Sequence, residues 1–189
     1  SGQKIISKNL SKLVEKEKIT AAESEQIKSR VTGTITYDLF SDADIVIEAI
    51  LEHMDLKREI FGTLDKICKP ETILASNTSS LSITEIAAST KRAERVIGMH
   101  FFNPAPVMKL VEVINGQLTA PQVHDFVIDL AKQMGKTPVT VNEAPGFVVN
   151  RILIPLVNEG VAILADGVAT KEEIDEAMKL GANHPMGPL

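Results

Sequence analysis

Several features that define large classes of proteins are missing from this sequence. No apolar run approaches the roughly 18 residues needed to cross a bilayer, because Glu48 interrupts the apolar stretch at 45–51. The N-terminus lacks the basic, apolar and small-residue segments that make up a secretory signal. The single cysteine, Cys68, cannot form an intramolecular disulfide. We therefore expect a protein without membrane association that works in the reducing cytoplasm.

Patterns for binding metals or nucleic acids are also absent. The formal net charge of -5 argues against a nucleic-acid surface, which favours a basic balance. Cys68, His53, His124 and His184 do not have the spacing of metal ligands. We assign neither a metal site nor a nucleic-acid partner.

The third absence concerns glycine. None of the 11 glycines forms a G-x-G pair. A sheet that binds a dinucleotide normally carries a G-x-G-x-x-G turn, whose backbone cradles the phosphates. The residues by themselves therefore show no nucleotide site.

The apolar pattern that is present predicts an α/β domain. Strands are expected at 45–50, 72–76, 96–102 and 110–114, and helices are expected to follow the capping residues Thr20, Asp55 and Ser82 and to begin at Pro121. Residues 4–30 are predicted to form a helical hairpin. An alternation of strands and helices of this kind is typical of a mostly parallel sheet.

The composition changes at 143–146, and no strand is predicted after that point. A long apolar helix is expected over about 147–166, followed by a shorter helix capped by Thr170. We therefore divide the chain into an α/β domain over 1–142, which includes the hairpin, and the start of a helical domain over 143–189.

His100 and Glu112 are a candidate proton-transfer pair. Glu112 interrupts an apolar strand, where an unpaired carboxylate would be costly to bury. The prolines at 104 and 106 force a turn that can bring this strand back beside the one that carries His100. A facing carboxylate would orient the imidazole and stabilise its protonated form. Two alternatives stay open: a structural histidine, or a pairing of Glu112 with Lys109 or Arg151.

Polar clusters follow three of the predicted strands, at 48–52, 76–80 and 100–103. Ligands of doubly wound sheets bind beyond the carboxyl ends of the strands, so we expect these clusters to converge at one edge. Lys4, Lys8, Lys12 and Lys16 recur at every fourth position. Such a stripe is either a solvated helix face or a surface for the phosphates of a long anionic ligand.

Five segments, taken together, resemble the 3-hydroxyacyl-CoA dehydrogenase family. They are Ser76-Asn77-Thr78-Ser79-Ser80-Leu81, His100-Phe101-Phe102-Asn103-Pro104, Met108-Lys109-Leu110-Val111-Glu112-Val113, Pro145-Gly146-Phe147-Val148-Val149-Asn150-Arg151, and Met178-Lys179-Leu180-Gly181 with Pro185-Met186-Gly187-Pro188. The resemblance covers the whole chain and is strongest to the bacterial short-chain members, which act on 3-hydroxybutyryl-CoA. It implies a Rossmann-like domain, an all-helical C-terminal domain, and NAD-dependent interconversion of 3-hydroxyacyl-CoA and 3-ketoacyl-CoA.

The resemblance also implies roles for individual residues. The catalytic set would be His100 as acid and base, Glu112 as its orienting carboxylate, and Ser79 and Asn150 as contacts to the reacting part of the substrate. The cofactor side would comprise Ala49, Glu52, Lys57, Asn77, Ser79 and Asn103. Lys12, Lys16 and Ser79 would contact the CoA moiety, and the helical domain would form a homodimer.

The chain departs from the family pattern at both ends. Roughly forty residues that carry the first strand, the G-x-G-x-x-G turn and the second strand have no counterpart here, and neither do the later helices. We expect weak NAD binding and no turnover from the chain alone, since a pyrophosphate normally sits on a helix N-terminus. NADP is not distinguished from NAD, because the discriminating segment is absent. Alternative hypotheses are a segment of a multifunctional fatty-acid oxidation protein and, for the chain alone, an inactive CoA-binding module.

Overall fold

A computed structural model describes residues 2–189 and divides the chain into two compact units, Ser1–Leu39 and Phe40–Leu189. The first unit holds the predicted hairpin, with α1 at Gly2–Glu15 and α2 at Ala21–Ser29. Thr20 caps α2 through a complete capping box, since it accepts from the Glu23 N–H and the Glu23 carboxylate accepts from the Thr20 N–H. The hairpin prediction is confirmed.

The second unit is built on a five-stranded sheet, with the strands in sequence order. The strands are β1 (Ile45–Glu48), β2 (Ile73–Ser76), β3 (Val96–Phe101), β4 (Leu110–Asn115) and β5 (Thr137–Asn142). Its helices are α3 (Met54–Ile67), α4 (Ile83–Ala87), α5 (Pro121–Gln133), α6 (Val149–Ala165) and α7 (Lys171–Gly181), and 3-10 turns lie at Asp38–Phe40 and Ala93–Arg95.

Three of the four neighbouring strand pairs are parallel, and only β3 and β4 run antiparallel. The predicted mostly parallel α/β sheet, followed by helices, is therefore confirmed. The antiparallel pair arises where the chain turns at 102–109, a segment that contains the cis peptide bond Asn103–Pro104. As expected, this turn returns β4 beside β3.

Each face of the sheet has its own apolar core. The face that packs on α3 and α4 buries Phe61, Leu64, Leu74, Ile83, Ile86, Val96, Ile114 and Phe147. The face that packs on α5 buries Ile73, Ala75, Ile97, Met99, Val111, Val113, Val123 and Val127. Burial on both faces explains the continuous β-branched runs of the inner strands.

Glycine at position 98 allows α4 to lie directly on the sheet. A Cβ there would fall 2.8 Å from Cβ of Ile114 and 3.0 Å from Cδ1 of Ile83. The start of α4 therefore approaches the middle of β3.

The structure differs from the predicted elements at three places. Strand β5 was not predicted, because Pro138 and a row of exposed positions obscure its pattern; both are typical of an edge strand. Helix α3 begins one residue before Asp55, which therefore lies in the first turn and does not cap it. The capping box of Ser82 is half formed, since Ser82 accepts from the Glu85 N–H while the Glu85 carboxylate bonds Arg58 instead.

Candidate active site

His100 and Glu112 face each other directly across the antiparallel pair of β3 and β4. Nδ1 of His100 lies 2.9 Å from Oε2 of Glu112, and the two residues are only 5% and 1% exposed. The imidazole also contacts two aromatic rings, those of Phe102 and Phe147, at centroid distances of 4.5 and 5.8 Å. Nε2 of His100 has no hydrogen-bond partner within residues 2–189. One nitrogen is thus fixed, and the other is left available to a ligand.

The second oxygen of Glu112 binds the beginning of α6. Oε1 accepts from the backbone N–H groups of Val148 and Val149, each at 3.0 Å. These N–H groups are the unpaired donors of a helix N-terminus, which favour a negative charge. A buried carboxylate at this position is therefore supplied with donors on both of its oxygens. Neither Lys109 nor Arg151 bonds Glu112 among the described residues, so that alternative is not what the structure contains.

Ser79 and Asn150, predicted to face the reacting part of the substrate, are brought together. Nδ2 of Asn150 donates to the backbone carbonyl of Ser79 at 3.2 Å. Ser79 lies in the loop after β2, and Asn150 lies in the first turn of α6, one residue beyond Val149. The loop and the helix therefore meet beside the His100–Glu112 pair.

The Ser79 loop is held by Glu52, which follows β1. Oε1 of Glu52 accepts from Oγ1 of Thr78 at 2.6 Å and from the N–H groups of Ser79 and Ser80 at 2.7 and 3.2 Å. Burial raises the pKa of the Glu52 carboxyl, but the hydrogen bonds from Thr78 and Ser79 and the charge of Lys57 together outweigh it and hold this pKa below its ordinary value. Glu52 is therefore an anion that orders the loop.

Lys57 is placed differently from the other expected cofactor residues. It is fully buried, and its Nζ donates to Oε1 and Oε2 of Glu48 at 2.8 and 2.9 Å and lies 3.5 Å from Oε2 of Glu52. Glu48 also accepts from Oγ of Ser76 at 2.7 Å and from the Ile50 N–H at 2.5 Å. The ammonium is enclosed by carboxylates, so Lys57 is positioned to support Glu52.

The remaining expected cofactor residues lie at the same edge. Oδ1 of Asn77 accepts from the Phe101 N–H at 2.8 Å, which links the ends of β2 and β3. Ala49 and Asn103 are exposed just beyond β1 and β3. The bonds from Glu52 and Asn77 confirm that the three polar clusters converge at one edge of the sheet.

The expected CoA lysines lie in the first unit. Lys12 is exposed in the last turn of α1, and Lys16 is exposed just after that helix. Their proposed contact with CoA stays a prediction. Among residues 2–189, no group of three or more His, Cys, Asp or Glu side chains could hold a metal ion. In the same range, no helix is long and apolar enough to span a membrane.

Two features of the site were missed by sequence reasoning. One is the backbone of Val148 and Val149, whose N–H groups donate to Glu112. Their apolar side chains give no indication of this role. The other is Glu143, which bonds Ser82 and Thr84 at the start of α4. The sequence contained one indication of Glu143, since this acidic residue lies at the change in composition just before Pro145 and Gly146.

Comparison with known proteins identifies the family. Residues 1–144 match the "3-hydroxyacyl-CoA dehydrogenase, NAD binding domain" family, and residues 146–189 match the "3-hydroxyacyl-CoA dehydrogenase, C-terminal domain" family. The chain belongs to the 3-hydroxyacyl-CoA dehydrogenase family. The resemblance inferred from the sequence motifs is thereby confirmed.

Individual members of the 3-hydroxyacyl-CoA dehydrogenase family are similar over most of the chain. A 3-hydroxybutyryl-CoA dehydrogenase of Clostridioides difficile is 62% identical over 185 residues, which are 98% of this chain and 66% of the relative. The mitochondrial hydroxyacyl-coenzyme A dehydrogenase of Homo sapiens is 49% identical over 158 residues, or 84% of this chain and 50% of that protein. The crystal structure of (S)-3-hydroxybutyryl-CoA dehydrogenase from Ralstonia eutropha matches with a TM-score of 0.94 and 53% identity, covering 96% of this chain and 64% of that one.

This chain therefore spans 66% of the length of its Clostridioides difficile relative. Residues 1–144 belong to the family's NAD-binding domain, which agrees with the expected cofactor class.

Proposed function

We propose that this chain carries the proton-transfer site of an NAD-dependent dehydrogenase that interconverts 3-hydroxybutyryl-CoA and acetoacetyl-CoA. The observation that carries the proposal is the buried His100–Glu112 pair, with 2.9 Å between Nδ1 and Oε2 and with Nε2 left unbonded within residues 2–189. A general acid or base needs one nitrogen held by a partner and the other facing the reacting oxygen. The relatives named above supply the substrate class.

In this proposal His100 moves a proton at Nε2. In the oxidative direction Nε2 takes the proton of the 3-hydroxyl group as hydride leaves C3. In the reductive direction it donates a proton to the 3-keto oxygen as hydride arrives. A nicotinamide, when bound, accepts or supplies that hydride. Glu112 holds the imidazole orientation and stabilises the imidazolium, and the α6 N-terminus holds Glu112.

The polar edge of the sheet suits the nicotinamide end of the cofactor. Ala49, Glu52 and Asn103 are exposed there, and Asn77 and Ser79 are partly exposed. The side chain of Glu52 is 38% exposed, and its Oε2 lies 3.5 Å from Nζ of Lys57. These residues would hold the polar groups of the nucleoside, while Lys57 supports Glu52 from behind. Ser79 and Asn150 would bind the reacting part of the substrate.

The remaining assignments are proposals of the same kind. Lys12 and Lys16 would contact the phosphates of CoA, and a homodimer would form through the helical domain. We place the boundary of that domain near residue 143, supported by the change of matching family between residues 144 and 146. A cytoplasmic location is consistent with Cys68, a buried free thiol. We further propose that the 189-residue chain alone has no turnover, because its sequence contains no G-x-G turn.

A chimera tests this function directly. Residues 1–189 would replace the matching stretch of the Clostridioides difficile relative, and oxidation of NADH by acetoacetyl-CoA would be followed by absorbance. We expect turnover by the chimera and none by the 189-residue chain alone. Free acetoacetate should be a poor substrate, because it lacks the CoA moiety.

The unaltered Clostridioides difficile relative is the matched control. If that relative turns over acetoacetyl-CoA while a folded chimera does not, the proposed function is wrong. Turnover by the 189-residue chain alone would contradict only the proposal that it is inactive.

A further inference from the structure

We propose that Glu143 is a positioning residue that fixes the separation between Ser79 and Asn150. The importance of that separation for a substrate rests on the proposed function. The positioning itself can be tested without measuring turnover. Glu143 follows β5 and is partly buried. No role for it follows from the sequence motifs.

The carboxylate of Glu143 ties the end of β5 to the start of α4. It accepts from Oγ of Ser82, from Oγ1 of Thr84 and, at 3.0 Å, from the Thr84 N–H. Its own N–H donates to the carbonyl of Asn115 at the end of β4. The end of β4, the start of α4 and the end of β5 therefore meet at this one residue, α4 through its carboxylate and β4 through its backbone N–H.

The residues just after β4 also bond to Thr84. Oγ1 of Thr84 accepts from the Gln117 N–H at 2.9 Å, while its proton goes to Glu143. Gly116 makes this approach possible, because a Cβ there would lie 3.3 Å from both N and Oγ1 of Thr84. The start of α4 is thus held by side chain and backbone together.

Only short chain segments separate Glu143 and its partner Ser82 from the two residues proposed to bind substrate, Asn150 and Ser79. Ser79 lies three positions before Ser82, and the loop between them is braced by Oγ1 of Thr78, which accepts from the Leu81 N–H at 2.9 Å. On the other side, Phe147 donates to the carbonyl of Ala144 at 3.0 Å and is itself buried. Helix α6 and Asn150 follow within a few residues.

The two chain segments meet where Nδ2 of Asn150 donates to the backbone carbonyl of Ser79 at 3.2 Å. Because both chain segments are anchored at Glu143, the charge-assisted hydrogen bonds of its carboxylate help to set where the loop and the helix start lie relative to each other, together with the bonds of Glu52 to the loop and of Glu112 to the helix. Placement errors of about 1 Å in groups that hold a substrate cost up to about a hundredfold in rate. Glu143 therefore acts on the reaction through the positions of Ser79 and Asn150, without touching the substrate.

The test uses the 189-residue chain and a spectroscopic readout. In Glu143→Gln, one carboxylate oxygen becomes an amide donor that faces the donors of Thr84. We expect amide exchange of Thr84 and Gln117 to accelerate about tenfold or more, as for a lost hydrogen bond to a charged group. We also expect the side-chain NH2 signals of Asn150 in a nitrogen–proton correlation spectrum to shift.

Two variants of Thr84 keep the test decisive if Glu143→Gln does not fold. Thr84→Val removes the hydroxyl and should reproduce the shift of the Asn150 signals, whereas Thr84→Ser keeps it and should leave them in place. Glu159→Gln, the same chemical change at an exposed position of α6, is the matched control. The effects of Glu143→Gln and Thr84→Val should be less than additive when combined.

Unchanged Asn150 signals in folded Glu143→Gln, or in folded Thr84→Val if Glu143→Gln does not fold, would overturn the proposal. In the chimera we expect Glu143→Gln to lower kcat about tenfold. If the unaltered chimera has no turnover, the proposed function fails, and the Asn150 signals still decide the role of Glu143.

Discussion

Two buried pairs of a carboxylate and a nitrogen base each include a residue of this sheet, and they differ in how completely they are enclosed. In the Glu48–Lys57 pair, Lys57 is fully buried against both oxygens of Glu48, which accepts further bonds from Ser76 and the Ile50 backbone. In the His100–Glu112 pair, Glu112 is hydrogen-bonded at both oxygens, but Nε2 of His100 has no partner within residues 2–189.

On the proposed function, this difference separates a structural ion pair from a proton-transfer pair. A buried charge is costly unless it is paired and hydrogen-bonded, and the Glu48–Lys57 pair meets that condition without any ligand. The His100–Glu112 pair meets it for the carboxylate alone. An imidazole with one fixed and one open nitrogen can exchange a proton with a bound molecule, whereas an enclosed ammonium cannot.

The largest expected effect comes from removing the open nitrogen base. In the chimera, His100→Gln should lower kcat by about 10² to 10⁴, the usual contribution of general acid–base catalysis. Steady-state oxidation of NADH by acetoacetyl-CoA measures this loss. His124→Gln, at the partly exposed histidine that bonds Oγ1 of Thr140, should leave kcat unchanged. Near-normal turnover of His100→Gln would remove His100 from the mechanism.

Breaking the enclosed pair should affect the fold instead. Lys57→Met leaves the Glu48 carboxylate buried without its counter-ion, and we expect a loss of about 3–5 kcal/mol in the free energy of unfolding. Urea denaturation of the 189-residue chain measures it. The double variant Glu48→Leu, Lys57→Met removes both charges and should recover most of that loss. A single variant as stable as the parent chain would show that the pair is not buried in solution.

An intermediate effect is expected at Glu112, which bonds both His100 and the start of α6. Glu112→Gln keeps the shape of the side chain but offers one acceptor oxygen in place of two, so either His100 or the start of α6 loses its partner. We expect a loss of about 1–3 kcal/mol in unfolding free energy. Urea denaturation checks this, with the exposed Glu176→Gln on α7 as control. Equal stability of both variants would mean that α6 does not depend on Glu112.

The smallest expected effect is a pH dependence at Glu52, whose Oε2 lies 3.5 Å from Nζ of Lys57. Because its pKa is lowered in the folded state, the carboxylate stabilises the fold above its unfolded pKa of about 4.3, and this contribution disappears as the pH falls through the folded value. Glu52→Gln should therefore lose less stability than the parent chain on acidification. Thermal unfolding at several acidic pH values measures this difference in stability. We expect the difference to be small, because the side chain of Glu52 is 38% exposed and solvent screens its charge.

For Glu52, the exposed Glu59→Gln on α3 is the control, and its pH profile should follow that of the parent chain. Parallel profiles of Glu52→Gln and the parent would contradict the assignment of Glu52 as an anion that orders the Ser79 loop.

Much of the fold could be predicted because its signals are local. The β-branched runs of β1 to β4, the capping box at Thr20 and the helix start at Pro121 each depend on neighbouring residues alone. Strand β5 could not be predicted in this way, since an edge strand with Pro138 is identified only by the neighbour with which it pairs.

The same distinction between local patterns and contacts of distant segments applies to the candidate site. The sequence by itself determined that His100 lies in a strand, that Glu112 interrupts another, and that polar clusters lie at the ends of three strands, because those facts concern residue types in a local pattern. The tertiary structure alone decided that Glu112 faces His100 rather than Lys109 or Arg151, that Lys57 is enclosed, and that the backbone at 148–149 and the carboxylate of Glu143 connect α6 and α4 to the sheet. Those bonds join segments that are distant along the chain, and backbone donors do not depend on the side chain, so no local pattern records them.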